Sequence, residues 1–198
     1  MTDRTSEEKT VRLFAAIALP SSVQESVAAY VEECRNAVPT SIRWVDPKNL
    51  HITLRFYGEL QAEQALLLQS SLDHSLSGLT GPLLQLAGTG AFPSLRRPSI
   101  FWAGVKILSG DLMPLVEACE EAAHRLDQPA EAKRFVPHIT LGRLRKKKEF
   151  SHREREVFGS RTPSHFGQEF KAQNVVLFKS QLTPRGPVYT PLKEYPLL

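Results

Sequence analysis

The tetrapeptide His-Ile-Thr-Leu occurs twice in this chain of 198 residues, at 51–54 and at 138–141. The two copies stand almost half a chain length apart. In a β-strand, residues i and i+2 share one face, so each copy presents an imidazole and a hydroxyl on one side and anchors Ile and Leu on the other. The repeat therefore predicts two equivalent strands, one in each half of the chain, whose polar pairs meet across a cleft.

The polar pairs, His51 with Thr53 and His138 with Thr140, carry the predicted chemistry. Two facing imidazoles suit general acid–base catalysis, because a pKa of about 6.5 makes both protonation states accessible at neutral pH. Hydroxyl groups beside them can donate hydrogen bonds to phosphate oxygens. A single His-x-Thr on a strand is typical of a solvated face, but a second copy at an equivalent position favours an active site.

A metal site with His51 and His138 as ligands is the alternative interpretation. Zinc in a catalytic site takes three protein ligands. No Asp or Glu stands at His-x-Asp or His-x-x-Glu spacing from either histidine. We therefore expect neither a metal nor a cofactor, and a reaction carried out by the side chains themselves.

Strict alternation over 49–58 predicts a half-buried strand. One face would hold Leu50, Ile52, Leu54 and Phe56, and the other His51, Thr53, Arg55 and Tyr57. The pattern places Arg55 beside His51 as a candidate phosphate contact, with an ordinary exposed arginine as the alternative. It places Phe56 in the core.

Periodicity elsewhere predicts a mixture of strands and helices without regular βαβ alternation, which is typical of an α+β fold. Strands are predicted at 11–20, 41–45, 83–92, 99–107, 136–143 and 170–181, with an edge strand at 189–197. Helices are predicted at 22–37, 61–76, 111–126 and 151–159. The turn-rich segment 93–98 separates two of the strands.

Composition is that of an ordinary globular protein, with 41% hydrophobic and 23% charged residues. No stretch approaches the ~18 apolar residues of a membrane span, and because residues 1–10 are polar we expect no signal peptide there. Cys34 and Cys119 lack metal or redox spacing, so we expect reduced thiols in a cytoplasmic protein. The net charge of +4 fits an anionic ligand without requiring one.

Several segments, in order, resemble the two-histidine phosphoesterase superfamily. They are 12–20, 44–58, 90–93, 97–104 and 137–143. The resemblance is to the bacterial and archaeal RNA 2′,3′-cyclic phosphodiesterase branch, once called 2′-5′ RNA ligase. It implies one bilobal domain over 1–198, with two pseudo-symmetric lobes of antiparallel sheet, outer helices and a cleft between them. Residues 1–10 are expected to be flexible.

The same resemblance implies roles for the motif residues. His51 would protonate the leaving ribose oxygen and His138 would activate water, although the sequence alone does not order the two roles. Thr53 and Thr140 would hold the phosphate, and Arg143 would contact it. Because Arg143 stands at an odd offset from His138, a bulge near Gly142 or the end of the strand is needed to turn its side chain toward the site.

The resemblance thus implies hydrolysis of a terminal RNA 2′,3′-cyclic phosphate to a 2′-phosphate, and we expect a monomer that binds RNA ends and no membrane. One alternative is a phosphodiesterase that acts on another cyclic phosphate or a 2′-5′ linkage. Another is a non-catalytic module that binds RNA ends. Three aromatic residues are candidates for stacking a base: Trp44, Phe92 and Trp102, the last expected in the core. Arg97 and the basic loop 145–148 are candidates for contacts with RNA, with a solvated loop as the alternative.

Overall fold

A computed structural model describes residues 10–37, 42–145, 150–159, 166–184 and 186–198. Two of the sequence predictions concern segments outside these ranges: the flexibility of residues 1–9 and the contacts of 146–148 in the basic loop.

The described residues form nine strands, four helices and a short 3-10 turn at Pro47–Asn49. The strands are β1 Val11–Ala18, β2 Ile42–Trp44, β3 His51–Leu60, β4 Leu83–Ser94, β5 Arg97–Ser109, β6 His138–Leu144, β7 Glu169–Lys171, β8 Asn174–Thr183 and β9 Gly186–Pro196. The helices are α1 Ser21–Ala37, α2 Ala62–Ser75, α3 Met113–His124 and α4 His152–Gly159.

All nine strands join one antiparallel sheet in the order β7-β4-β5-β6-β3-β1-β8-β9, with β2 paired to β6. The strand order is approximately two-fold symmetric about the junction between β6 and β3. Three further strands lie between each of these motif strands and the nearer edge of the sheet: β5, β4 and β7 beyond β6, and β1, β8 and β9 beyond β3. This arrangement confirms the predicted α+β class with two equivalent halves of antiparallel sheet and helices. At the junction the two halves meet through one strand pair, Ile52 opposite Ile139.

One face of the sheet packs against the helices and forms the core. Apolar side chains from the central strands, such as Leu13, Ile52 and Leu141, are fully buried there with Val27 of α1 and Leu68 of α2. The opposite face carries both polar pairs of the repeat, and we call it the site face: His51, Thr53, His138, Thr140 and the side chains that surround them.

Two predicted element boundaries are wrong. The strand predicted at 170–181 is two strands, because Ala172 leaves the ladder and donates its backbone N–H to the Pro82 carbonyl. The chain thereby crosses from β7, at one edge of the sheet, to β8 in the other half. The predicted loop 93–98 is a tight turn, since β4 runs to Ser94 and β5 begins at Arg97.

The prediction of an edge strand near the C-terminus is confirmed. Among the strands that the structure describes, β9 pairs with β8 alone, which accommodates Pro191 and Pro196 because an edge strand needs no second ladder of backbone N–H groups. Among the described residues, no helix is both long and apolar enough to cross a membrane.

Candidate active site

The junction of the two halves brings the two motifs together. Continuing the Ile52–Ile139 register by one residue each way places His51 opposite Thr140 and Thr53 opposite His138. An imidazole from each half therefore stands across from a hydroxyl of the other half, around an approximate two-fold axis. The predicted meeting of the two polar pairs is a direct consequence of this register.

Equivalent backbone carbonyls orient the two imidazoles. His51 Nδ1 lies 2.7 Å from the Asn49 carbonyl oxygen, and His138 Nδ1 lies 2.7 Å from the Val136 carbonyl oxygen. A carbonyl only accepts, so each Nδ1 carries the proton and each Nε2 is left for chemistry. His51 Nε2 lies 3.0 Å from Thr53 Oγ1, a hydroxyl that donates to the neutral ring.

A β-bulge turns Arg143 toward the site face. In the β5–β6 ladder, Trp102 pairs with Thr140 and Phe101 with Gly142, so Leu141 is an extra residue. The extra residue reverses the alternation, and Arg143 is exposed on the same face as Thr140. This provides the bulge that the sequence analysis required.

A second bulge, at the equivalent position of the first motif, corrects the prediction for Arg55. Arg55 pairs with Ala15 and Thr53 with Ala16, so Leu54 is the extra residue. Arg55 therefore lies on the core face and not beside His51. Its side chain is 6% exposed, too buried for a phosphate contact.

The partners of Arg55 are in the helical layer. Its guanidinium lies 3.1 Å from a carboxylate oxygen of Glu120 in α3 and 3.8 Å from one of Glu131. It also donates a hydrogen bond to the Pro129 carbonyl at 2.6 Å. Through these ion pairs and this hydrogen bond, Arg55 links the first motif strand to α3 and to the loop after it.

The same bulge places Phe56 on the site face, where the alternation pattern had put it in the core. Phe56 is 56% exposed, and its ring centroid lies 5.7 Å from that of Phe14. The Phe14 ring also contacts those of His51, at 4.9 Å, and Tyr189, at 4.9 Å. An aromatic wall therefore flanks the first histidine.

A second aromatic wall flanks the other histidine. The Phe92 ring contacts His138 edge-on at 5.0 Å and Trp102 at 5.4 Å. Trp102 lies flat across Gly90, where any Cβ would collide with the indole. Trp102 was expected in the core and instead lies on the site face; Trp44 is the tryptophan that packs inward, stacked on Phe158 at 5.9 Å.

Burial alters the acid–base properties of the first histidine. The pKa of His51 is lowered to about 4, chiefly by desolvation and to a smaller extent by the nearby His138, against the opposing effect of the Asn49 carbonyl. Burial raises the pKa of Tyr189, while the positive charges of Arg143 and Arg12 lower it. His51 is therefore neutral at pH 7. The effects on Tyr189 show that the positive charges of both arginines lie near its phenol.

The lowered pKa of His51 predicts a pH-dependent loss of stability. An unfolded histidine binds a proton below about pH 6.5, whereas folded His51 binds one only near pH 4. As the pH is lowered from about 6.5 to about 4, the unfolded state binds the proton first, so the free energy of unfolding should fall by about 1–3 kcal/mol relative to that of the His51→Gln variant. Urea titrations from pH 4 to 7 measure it. His74→Gln, an exposed helix position, is the matched control, and an identical pH slope in all three proteins would contradict the assignment.

Within the described ranges, no group of three or more His, Cys, Asp or Glu side chains is arranged to hold a metal ion. The thiols of Cys34 and Cys119 are free and buried, and burial raises the pKa of Cys34 to about 11.

An antiparallel sheet with two related halves, whose central strands each contribute one His-x-Thr motif to a shared face, defines a two-histidine phosphoesterase. The family model for LigT-like phosphoesterases matches this chain twice, over 17–102 and 106–189, one match for each motif. The chain belongs to this family.

Relatives and solved structures agree with this family along nearly the whole chain. The RNA 2′,3′-cyclic phosphodiesterase of Methanocaldococcus jannaschii is 31% identical over 93% of this chain and 100% of its own. That of Thermus thermophilus is 34% identical over 94% and 90%. The crystal structure of E. coli LigT in apo form superposes with a TM-score of 0.76 at 26% identity, covering 96% of this chain and 98% of that one. E. coli LigT complexed with 3′-AMP gives a TM-score of 0.75.

Proposed function

We propose that this protein hydrolyses a terminal 2′,3′-cyclic phosphate on RNA to a 2′-phosphate, using His51 and His138 as acid and base. The observation that carries the proposal is the Ile52–Ile139 register, which sets an imidazole and a hydroxyl from each half around one point. A phosphodiester cleaved without a metal needs this set: a base, an acid and donors for the charge on the equatorial oxygens.

The reaction balances with water as the nucleophile. His138 Nε2 takes a proton from water as the oxygen attacks phosphorus. The bond from phosphorus to the ribose 3′ oxygen breaks, and His51 Nε2 delivers a proton to that oxygen. The product carries a 2′-phosphate, and proton exchange with solvent restores both rings.

The lowered pKa of His51, which makes the ring neutral at pH 7, bears on its role. Neutrality alone fits a base, whereas the resemblance of the motif implies an acid. The two are consistent when the substrate anion binds beside the ring, because a nearby negative charge favours the imidazolium and raises its pKa. His51 then takes up its proton together with the substrate.

The other residues of the site face hold the substrate. Thr53 and Thr140 donate hydrogen bonds to the non-bridging phosphate oxygens, and Arg143 adds a positive charge. The aromatic walls at Phe56 and at Phe92 offer surfaces on which bases stack. Because one chain supplies both motifs, we propose that it works as a monomer and as one bilobal domain over its whole length.

A turnover assay tests the proposal. An oligonucleotide ending in a 2′,3′-cyclic phosphate is incubated with the protein, and ³¹P NMR distinguishes 2′-phosphate from 3′-phosphate products. We expect the 2′ isomer alone. Tight binding without turnover would show a binding module instead, and a 3′-phosphate product would reverse the proposed leaving group.

Activity is expected to withstand removal of divalent metals, because imidazoles and hydroxyls supply every proton and donor that the mechanism requires. The measurement is the initial rate on the cyclic end before and after incubation with EDTA and desalting. A severe loss that zinc or manganese restores would contradict the mechanism.

A further inference from the structure

Beyond the second motif, β2 pairs with the end of β6 and sets two arginines opposite each other. Arg43 is the Cα partner of Arg143 in this antiparallel pair, and directly opposite residues share a face with Cβ atoms about 4.5–5.5 Å apart. Ile42 is buried and Trp44 packs against the core. Arg43, between them, therefore points with Arg143 to the site face, and both are exposed.

Charge makes this pair unusual. Like charges directly opposite each other destabilise a sheet. Neither guanidinium has a hydrogen bond or ion pair with any residue that the structure describes. Arg12, the other arginine near Tyr189, has an acidic residue opposite it, Glu59 in β3. Two uncompensated guanidinium groups held side by side by backbone pairing are a typical arrangement for a phosphate, which arginine can bind through two hydrogen bonds.

The position along β6 indicates which phosphate this is. Arg143 follows Thr140 on the same face, with the bulge between them. At about 3.3 Å per residue, the arginine pair lies about 7–10 Å from Thr140. Successive phosphates along a nucleic acid strand are separated by a distance of this order. The arginine pair therefore lies about one nucleotide away from the terminal phosphate that we place at His138 and Thr140.

We propose that Arg43 forms a second phosphate subsite, which binds the internucleotide phosphate on the 5′ side of the cyclic end, with Arg143 between the two phosphates. The inference rests on the proposed function and extends it to substrate choice. A free nucleoside 2′,3′-cyclic monophosphate lacks the internucleotide phosphate. The subsite therefore favours an RNA end over a mononucleotide with the same reactive ring.

Arg43→Gln is the variant that tests the subsite. On an oligonucleotide with a cyclic end, it should lower kcat/KM about tenfold or more, mainly through KM, because one charge-assisted hydrogen bond is worth about that factor. On the corresponding nucleoside 2′,3′-cyclic monophosphate, kcat/KM should change by less than about twofold. Arg35→Gln is the matched control: it removes the same charge from outer helix α1, where Arg35 pairs with Glu32, and should affect neither substrate.

A modified substrate tests the same contact in the unaltered protein. In one oligonucleotide, only the last internucleotide phosphate is replaced by a neutral methylphosphonate. The wild type should lose about the same factor as Arg43→Gln loses on the normal substrate, and the variant should lose nothing more.

Three results would overturn the inference. They are an equal loss on both substrates in Arg43→Gln, no loss on the oligonucleotide, or full wild-type activity on the methylphosphonate. If the wild type hydrolysed neither the oligonucleotide nor the mononucleotide, the proposed function would fail and the inference with it. If the wild type hydrolyses both substrates, the proposed function holds, and the comparison with Arg43→Gln then tests the phosphate subsite alone.

Discussion

Replacing His51 or His138 with alanine is expected to lower kcat by about 10²–10⁴-fold on an RNA end with a cyclic phosphate. One positioned general acid or base contributes about that factor. Both rings are held in one tautomer by a backbone carbonyl at 2.7 Å, so each Nε2 is positioned for proton transfer and is lost with the ring. Initial rates at saturating substrate measure the loss. His74→Ala, on the exposed face of α2, should retain the wild-type rate.

The pH dependence of the same variants assigns the two roles. If His138 is the base, its replacement should chiefly remove the acidic limb of the kcat/KM profile, where a base becomes protonated. If His51 is the acid, its replacement should chiefly remove the alkaline limb. The limbs of the wild type belong to the coupled pair and not to single residues. The opposite pattern would exchange the roles, and near-full activity in either variant would contradict the paired mechanism.

The fold could be predicted from the sequence wherever its periodicity was long and regular. Helix α1 at Ser21–Ala37 and strand β6 at His138–Leu144 lie within two residues of their predicted bounds. The continuous strand predicted at 170–181 failed because strand propensity does not show when a chain changes partners. Ala172 and the residue after it leave the ladder to cross between halves of the sheet.

The centre of the candidate site was also accessible from sequence, because the repeated motif places equivalent residues on equivalent strands. The surroundings of the site could not be predicted from the sequence. A bulge after each threonine decides which face of the sheet the following side chains occupy. Nothing in the residue types around Leu54 marks an extra residue there. At Leu141 the only signal was indirect: Arg143 fell on the wrong face for its implied role, which required a bulge.

The two bulges occupy equivalent positions but serve different purposes. Each one turns the next residue toward the core and the residue after it toward the site face. In the first motif these residues are Arg55 and Phe56, and in the second Gly142 and Arg143. Gly142 faces Ile42 so closely that a Cβ would collide with it. The site face thereby gains the Phe56 ring beside the first motif and the Arg143 guanidinium beside the second. The ring suits a nucleobase and the guanidinium suits a phosphate, so the two bulges favour an asymmetric ligand.

Arg55→Ala should therefore lower the stability of the fold, whereas Arg143→Ala should lower activity and leave stability nearly unchanged. Removing Arg55 leaves Glu120, whose side chain is 27% exposed, without its cation and releases α3 from the first motif strand. We expect the free energy of unfolding to fall by about 2–4 kcal/mol, somewhat less than for a fully buried pair. For a chain of this size that corresponds to a Tm lower by about 4–16 °C.

Arg143→Ala should leave the free energy of unfolding within about 0.5 kcal/mol of the wild type, because the side chain is exposed and has no partner among the described residues. Its kcat/KM should fall about 10–100-fold, since a charged donor to the phosphate is lost. Urea unfolding and turnover of the same preparations separate the two effects. A stable Arg55→Ala protein with a raised KM would restore Arg55 as a phosphate contact and contradict its burial behind the bulge at Leu54.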